Sequence, residues 1–128
     1  MSERRSGYEA RAVLDAACSE AQLYEAVSTF AGMEGWVVWH DQDSRRNTAG
    51  FPDLLLLRER TVWIELKRQD GRVSPYQQAF HDALRRAGQE VHVFRPSDWS
   101  SGAIERVLQR APVVAATSAA GGAPRGGM

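Results

Sequence analysis

The clearest pattern of apolar and polar positions lies between Gly50 and Gln77. Two apolar runs, Leu54–Leu57 and Val62–Leu66, predict neighbouring buried strands joined by the polar Arg58-Glu59-Arg60. That connection lacks Gly or Asn, so its turn type stays open. A three-residue loop pairs position 57 with 61, and therefore Asp53 with Glu65. Because strand side chains alternate between faces, Leu54, Leu56, Val62, Ile64 and Leu66 share an apolar face. Asp53, Glu65 and Lys67 share the other.

Helical periodicity brackets this hairpin. Ser19 and Gln22 form a capping-box pattern that opens a helix over 19–31, with Leu23, Val27 and Phe30 as its stripe and Ala26 and Ala31 beside it. Residues 36–40 predict a strand, and the polar stretch 41–50 a loop. Ser74-Pro75 opens a second helix, where Gln77 can close another capping box and can also face a site. Phe80, Leu84 and Ala87 predict its buried stripe, with His81 at the surface edge and Gly88 as the stop. Glu90–Phe94 alternates and predicts a half-buried strand, with His92 exposed beside Glu90. A last short helix is expected over about 102–111 from Ile104, Val107 and Leu108. Residues 1–17 carry only a faint apolar face (Tyr8, Val13, Leu14) and predict an arm or helix extension. Residues 112–128 are small and Gly-rich, and predict a flexible tail. The resulting order over a domain at 18–111, α-β-β-β-α-β-α, predicts an α/β fold with a central mixed sheet flanked by helices.

Composition narrows the picture. A chain of 128 residues, 43% hydrophobic with four Trp, has the length of one domain and the means for a core. The single cysteine, Cys18, excludes an internal disulfide and a cysteine-cluster metal site, and is expected buried or half-buried. No apolar run approaches about 18 residues and no signal pattern is present, so a soluble, cytoplasmic protein without a membrane partner is expected. Net charge is zero, which counts weakly against nucleic acid. Between Arg45 and Arg72, however, seven basic residues stand against four acidic ones, and two of those four are Asp53 and Glu65.

The candidate chemistry sits at the polar end of the hairpin. A plain salt bridge between Glu65 and Lys67 is the competing reading, and such pairs contribute little. Against it, fifteen of the sixteen basic residues are arginine, and Lys67 is the single lysine. Lysine supplies a compact, titratable charge that arginine does not. Two carboxylates and an amine suit phosphodiester hydrolysis, in which a hard divalent cation activates water and offsets phosphate charge. Oxygen ligands with no His or Cys nearby favour Mg²⁺ or Mn²⁺ over Zn²⁺. Arg45, Arg46, Arg68 and Arg72 are candidate phosphate contacts, with solvated surface as the alternative. The Asp41/Asp43 pair reads as surface. Gly50 is expected to permit a tight turn or a close approach of substrate. Glu20, in a first helical turn, is on its own accounted for by the helix dipole.

Pro52-Asp53 followed by Glu65-Leu66-Lys67 resembles the PD-(D/E)XK nuclease signature. The wider set, Ser19-Glu20, Gly50-Phe-Pro-Asp53, Ile64-Glu-Leu-Lys67 and Ser74-Pro-Tyr-Gln77, resembles the VRR-NUC branch over roughly residues 19–96. The resemblance implies a restriction-endonuclease-like core, metal binding by Glu20, Asp53 and Glu65, a catalytic Lys67, and Gln77 at the site. It also implies a DNA endonuclease using Mg²⁺ (or Mn²⁺), structure-selective in the manner of dimeric Holliday-junction resolvases. Nicking, flap or exonuclease activity on the same fold, or a non-catalytic DNA-binding module, are the alternatives.

Overall fold

The structure, a computed structural model, describes residues 3–40 and 49–110. Asp41, Asp43, Arg45, Arg46 and the 112–128 tail lie outside the described residues. Five helices and four strands follow in the order α1 (Glu3–Ala17), α2 (Glu20–Met33), β1 (Val37–His40), β2 (Leu54–Leu57), β3 (Thr61–Leu66), α3 (Pro75–Arg86), β4 (Glu90–Phe94), α4 (Pro96–Ser100) and α5 (Ala103–Gln109). The sequence-predicted core order is present, with two helices added to it. Pro96 at the first position and the Asp98 carboxylate, which accepts from the Arg95 N–H at 2.8 Å, start α4 before the chain reaches α5.

The sheet runs β1-β2-β3-β4, antiparallel through β3 and parallel between β3 and β4. A parallel pair needs a crossover, and α3 supplies it. Leu57 pairs with Thr61 and Leu54 with Ile64, the register expected from a three-residue connection. It places Asp53 opposite Glu65. The turn is closed by the Arg58 N–H donating to the Arg60 carbonyl, and the Arg60 guanidinium ties it to Glu90 and to the Val107 and Arg110 carbonyls, each at 2.8 Å.

All five residues predicted for the apolar hairpin face are buried. They pack with Leu23, Val27 and Ala31 of α2 and with Ile104 and Leu108 of α5. Each such aliphatic side chain contributes about 1.5–3 kcal/mol by leaving water. The Ser19–Gln22 capping box forms in both directions and fixes where α2 begins. On the opposite face Trp39, Phe51, Trp63 and Phe80 meet edge to face, with ring centroids 5.4–5.8 Å apart.

Two expectations are corrected, and the N-terminal segment is resolved as a helix. His81 is not at the surface: it is fully buried and is the buried residue of α3, while Ala87 is exposed. His92 is half-buried, bonded to Glu90 Oε2 at 2.7 Å and stacked on Phe94. The apolar positions of α1 do not pack, since Tyr8, Val13 and Leu14 are exposed. That helix touches α4 instead, where the Ser100 hydroxyl donates to Asp15 at 2.7 Å.

Candidate active site

Where β3 ends, its outward-facing residues meet α3. The register puts Glu65 on the face away from the core, and a carboxylate there would ordinarily be solvated. The crossover helix covers it, leaving Glu65 2% exposed. Its two oxygens face different groups. Oε2 accepts from the Gln77 amide at 3.0 Å and lies 3.9 Å from the Lys67 ammonium. Oε1 lies 3.6 Å from His81 Nε2, just beyond hydrogen-bond length, and has no other partner among the described residues.

Gln77 does two things at once. Its Oε1 accepts from the Ser74 N–H at 2.9 Å, closing the capping box of α3, while its Nε2 holds Glu65. Capping therefore fixes the amide that fixes the carboxylate. Across the hairpin, Asp53 Oδ2 accepts from the Leu66 N–H at 2.7 Å, which locks its side chain against the end of β3. The Lys67 side chain is largely buried, and its backbone N–H bonds the Phe94 carbonyl at 3.0 Å, which ties the end of β3 to β4.

Asp53 also lines a cleft of about 180 Å³ with Glu20, Ala21, Tyr24, His40 and Leu66. The first turn of α2 thus brings Glu20 to the same opening as Asp53. His40, paired with Leu54 in the sheet, stacks edge to face on Tyr24 there. Gly50 adopts a left-handed φ of 89°, and a Cβ on it would stand 2.4 Å from the Tyr76 carbonyl oxygen. Gly50 thus sits in a tight turn, as one of its two expected roles required, and packs closely on the backbone at the start of α3. Gly50→Ala is expected to lower stability by about 1–3 kcal/mol, measured as a fall in denaturation midpoint. Wild-type stability would contradict this packing.

Electrostatics mark the same residues. Burial, then the nearby Asp53 charge, pushes the Glu65 pKa from 4.5 up to about 9. Burial, aided by Arg85, lowers that of His81, so the imidazole is uncharged at neutral pH. Unfolded Glu65 ionises above 4.5, whereas the folded residue keeps its proton until about 9. Its stabilising contribution is therefore complete below pH 4.5 and is lost as pH rises through about 9. Without metal, melting temperature is expected to fall across that window, with the slope reduced in Glu65→Gln. An identical slope in the variant would remove Glu65 as its source.

A hard divalent cation fits this donor set. Glu65 Oε1 is a buried acceptor without a hydrogen-bond partner, and leaving such an atom unsatisfied costs about 1–3 kcal/mol. Burial first, and then the Asp53 charge, disfavour ionised Glu65, and a cation beside the two would offset both. No group of three or more His, Cys, Asp or Glu side chains among the described residues is placed to hold a metal ion together. One or two carboxylates with waters and substrate phosphate is the usual arrangement for Mg²⁺.

Asp53, Glu65, Lys67 and Gln77 are thus brought together, with Glu20 at the adjoining cleft. Arg68 and Arg72 are exposed on the loop after β3. That loop is anchored by the Gln69–Ser97 pair, at 3.0 and 2.9 Å, and by Arg95 donating to the Gly71 carbonyl. Sequence reasoning missed His81 and His40, and the expectation of a site without nearby histidine is corrected accordingly. The available signals were positional. His81 is one helical turn after Gln77, and His40 ends the strand that pairs beside Asp53.

A family model described as the VRR-NUC domain matches residues 2–98. No curated protein and no solved structure matches the chain. The matched span contains every residue of the hairpin, the cleft and α3 named above, and reaches further toward the N-terminus than the motifs themselves.

Proposed function

The chain belongs to the VRR-NUC family, nucleases of the restriction-endonuclease-like superfamily, and from that premise we propose a metal-dependent DNA endonuclease. The observation that carries the reading is the convergence of Asp53, Glu65 and Lys67 at the end of β3, with Glu65 held by Gln77. Asp53 and Glu65, with Glu20 facing them from the adjoining cleft, would hold Mg²⁺ or Mn²⁺ together with waters. The ion, when bound, lowers the pKa of water and offsets charge on the phosphate.

The chain's own residues account for the remainder. The Lys67 ammonium orients the attacking water and stabilises negative charge as the water oxygen bonds to phosphorus and the P–O bond to the leaving oxygen breaks. The leaving oxygen takes up a proton, so each cleavage consumes one water. Gln77 keeps the Glu65 carboxylate in one orientation throughout. Arg68 and Arg72, together with Arg45 and Arg46, bind flanking phosphates. Neutralising the described pair should reduce the salt dependence of DNA binding by a slope of roughly 1–2. An unchanged slope returns them to solvated surface.

The finer proposal is a structure-selective homodimer acting on branched DNA, since two symmetric cuts need two copies of a one-site domain. No helix among the described residues is long and apolar enough to cross a membrane. The test maps cut positions on an end-labelled four-way junction beside a sedimentation measurement. Paired symmetric cuts by a dimer support it. Cuts confined to flaps, nicks or ends replace the junction with another DNA structure.

A further inference from the structure

The inner wall of the site holds a group that the nuclease chemistry above leaves unused. His81 is fully buried, and neither ring nitrogen has a hydrogen-bond partner among the described residues. It stands one turn after Gln77 on α3, so the two side chains leave the helix on one face. Both point at the same carboxylate: Gln77 Nε2 is 3.0 Å from Glu65 Oε2, and His81 Nε2 is 3.6 Å from Oε1. A side chain serving only to fill this space would be better apolar, because an imidazole left without partners is penalised by burial.

We propose that His81 is a positioning residue for Glu65, its Nε2–H and the Gln77 amide together fixing the plane in which the carboxylate meets the metal. Each carboxylate oxygen has two lone pairs, so one can accept from α3 while the other faces the ion. Metal-ligating groups held by outer hydrogen bonds in this way lose affinity when the outer partner is removed. Only a few tenths of an ångström separate the present 3.6 Å from a hydrogen bond. The inference rests on the metal-nuclease reading.

Mn²⁺ titration calorimetry and thermal denaturation in chelator, on the full chain, test it. Wild type is compared with His81→Leu, His81→Gln and, as a control on the metal reading, Asp53→Asn. His81→Leu should bind Mn²⁺ about 10- to 100-fold more weakly, while its metal-free melting temperature equals or exceeds that of wild type. His81→Gln, which keeps an N–H donor, should recover part of the affinity. If the leucine variant does not fold, His81→Met carries the same comparison. Wild-type affinity in a folded apolar variant, with binding lost in Asp53→Asn, overturns the role of His81 alone. Absence of Mn²⁺ binding by wild type overturns the metal reading itself, and its persistence in Asp53→Asn places the ion elsewhere and overturns this site. Nitrogen coupling to bound Mn²⁺ that disappears in His81→Gln would make His81 a ligand and overturn its positioning role.

Discussion

Lys67→Ala is expected to slow DNA cleavage by about 10²- to 10⁴-fold, with the fold retained and Mn²⁺ affinity at least that of wild type. The ammonium lies 3.9 Å from Glu65 Oε2, and its side chain is largely buried. In that setting a point charge acts with little screening on whatever forms beside the carboxylate. Removing a cation next to a metal-binding carboxylate does not weaken attraction for the metal, so binding and rate should separate. Lys67→Arg should not restore the rate, because a planar fork on a different stem cannot put a compact charge at the same point. Single-turnover cleavage of labelled DNA reads the effect. A wild-type rate in Lys67→Ala would take the residue out of the chemistry.

Asp53→Asn is expected to reduce Mn²⁺ affinity by about 100-fold or more, beyond the range typical of outer-shell partners, and to abolish metal-dependent cleavage. The choice of asparagine matters. Asp53 Oδ2 accepts from the Leu66 N–H, and alanine would leave that backbone donor without its partner at about 1–3 kcal/mol. Asparagine keeps an acceptor there and removes only the charge. The same substitution removes the second-largest cause of the raised Glu65 pKa, so the pH-dependent loss of metal-free stability should move to lower pH. Calorimetry and a melting series over pH measure the two effects. Unchanged Mn²⁺ binding would place the ion elsewhere.

Much of this site is legible in the sequence because strand alternation is strict. Five apolar residues on one face require a single register, and that register puts Asp53 opposite Glu65 and Lys67 beside it. Both capping boxes are equally local, since Ser19–Gln22 and Ser74–Gln77 specify their helix starts without long-range contacts. His81 is hidden for the opposite reason. Apolar periodicity weights Phe80, Leu84 and Ala87, whereas α3 is turned so that Gln77 and His81 face β3 and Ala87 faces solvent. A polar interaction with Glu65 and an aromatic cluster around Phe51 set that rotation, and neither is a feature of the helix alone.

The burial of Glu65 has the same origin. As a strand residue it belongs on an outward face, and its 2% exposure comes from a helix ten residues further along the chain. Such non-local cover raises its pKa and supplies its hydrogen bonds, so neither property is readable from the β3 segment. Helix α1 shows a further limit. Its apolar residues are exposed and it reaches α4 through Asp15 and Ser100, leaving no hydrophobic stripe to announce it.

The most direct test is cleavage of a labelled set comprising duplex, single strand, flap and four-way junction, with Mg²⁺ or Mn²⁺, with chelator, and beside Lys67→Ala. Cleavage by wild type that requires the metal and is lost in chelator and in the variant is the predicted result. Wild-type protein that binds these DNAs but cleaves none of them with either metal would contradict the account, leaving a DNA-binding module on a nuclease fold.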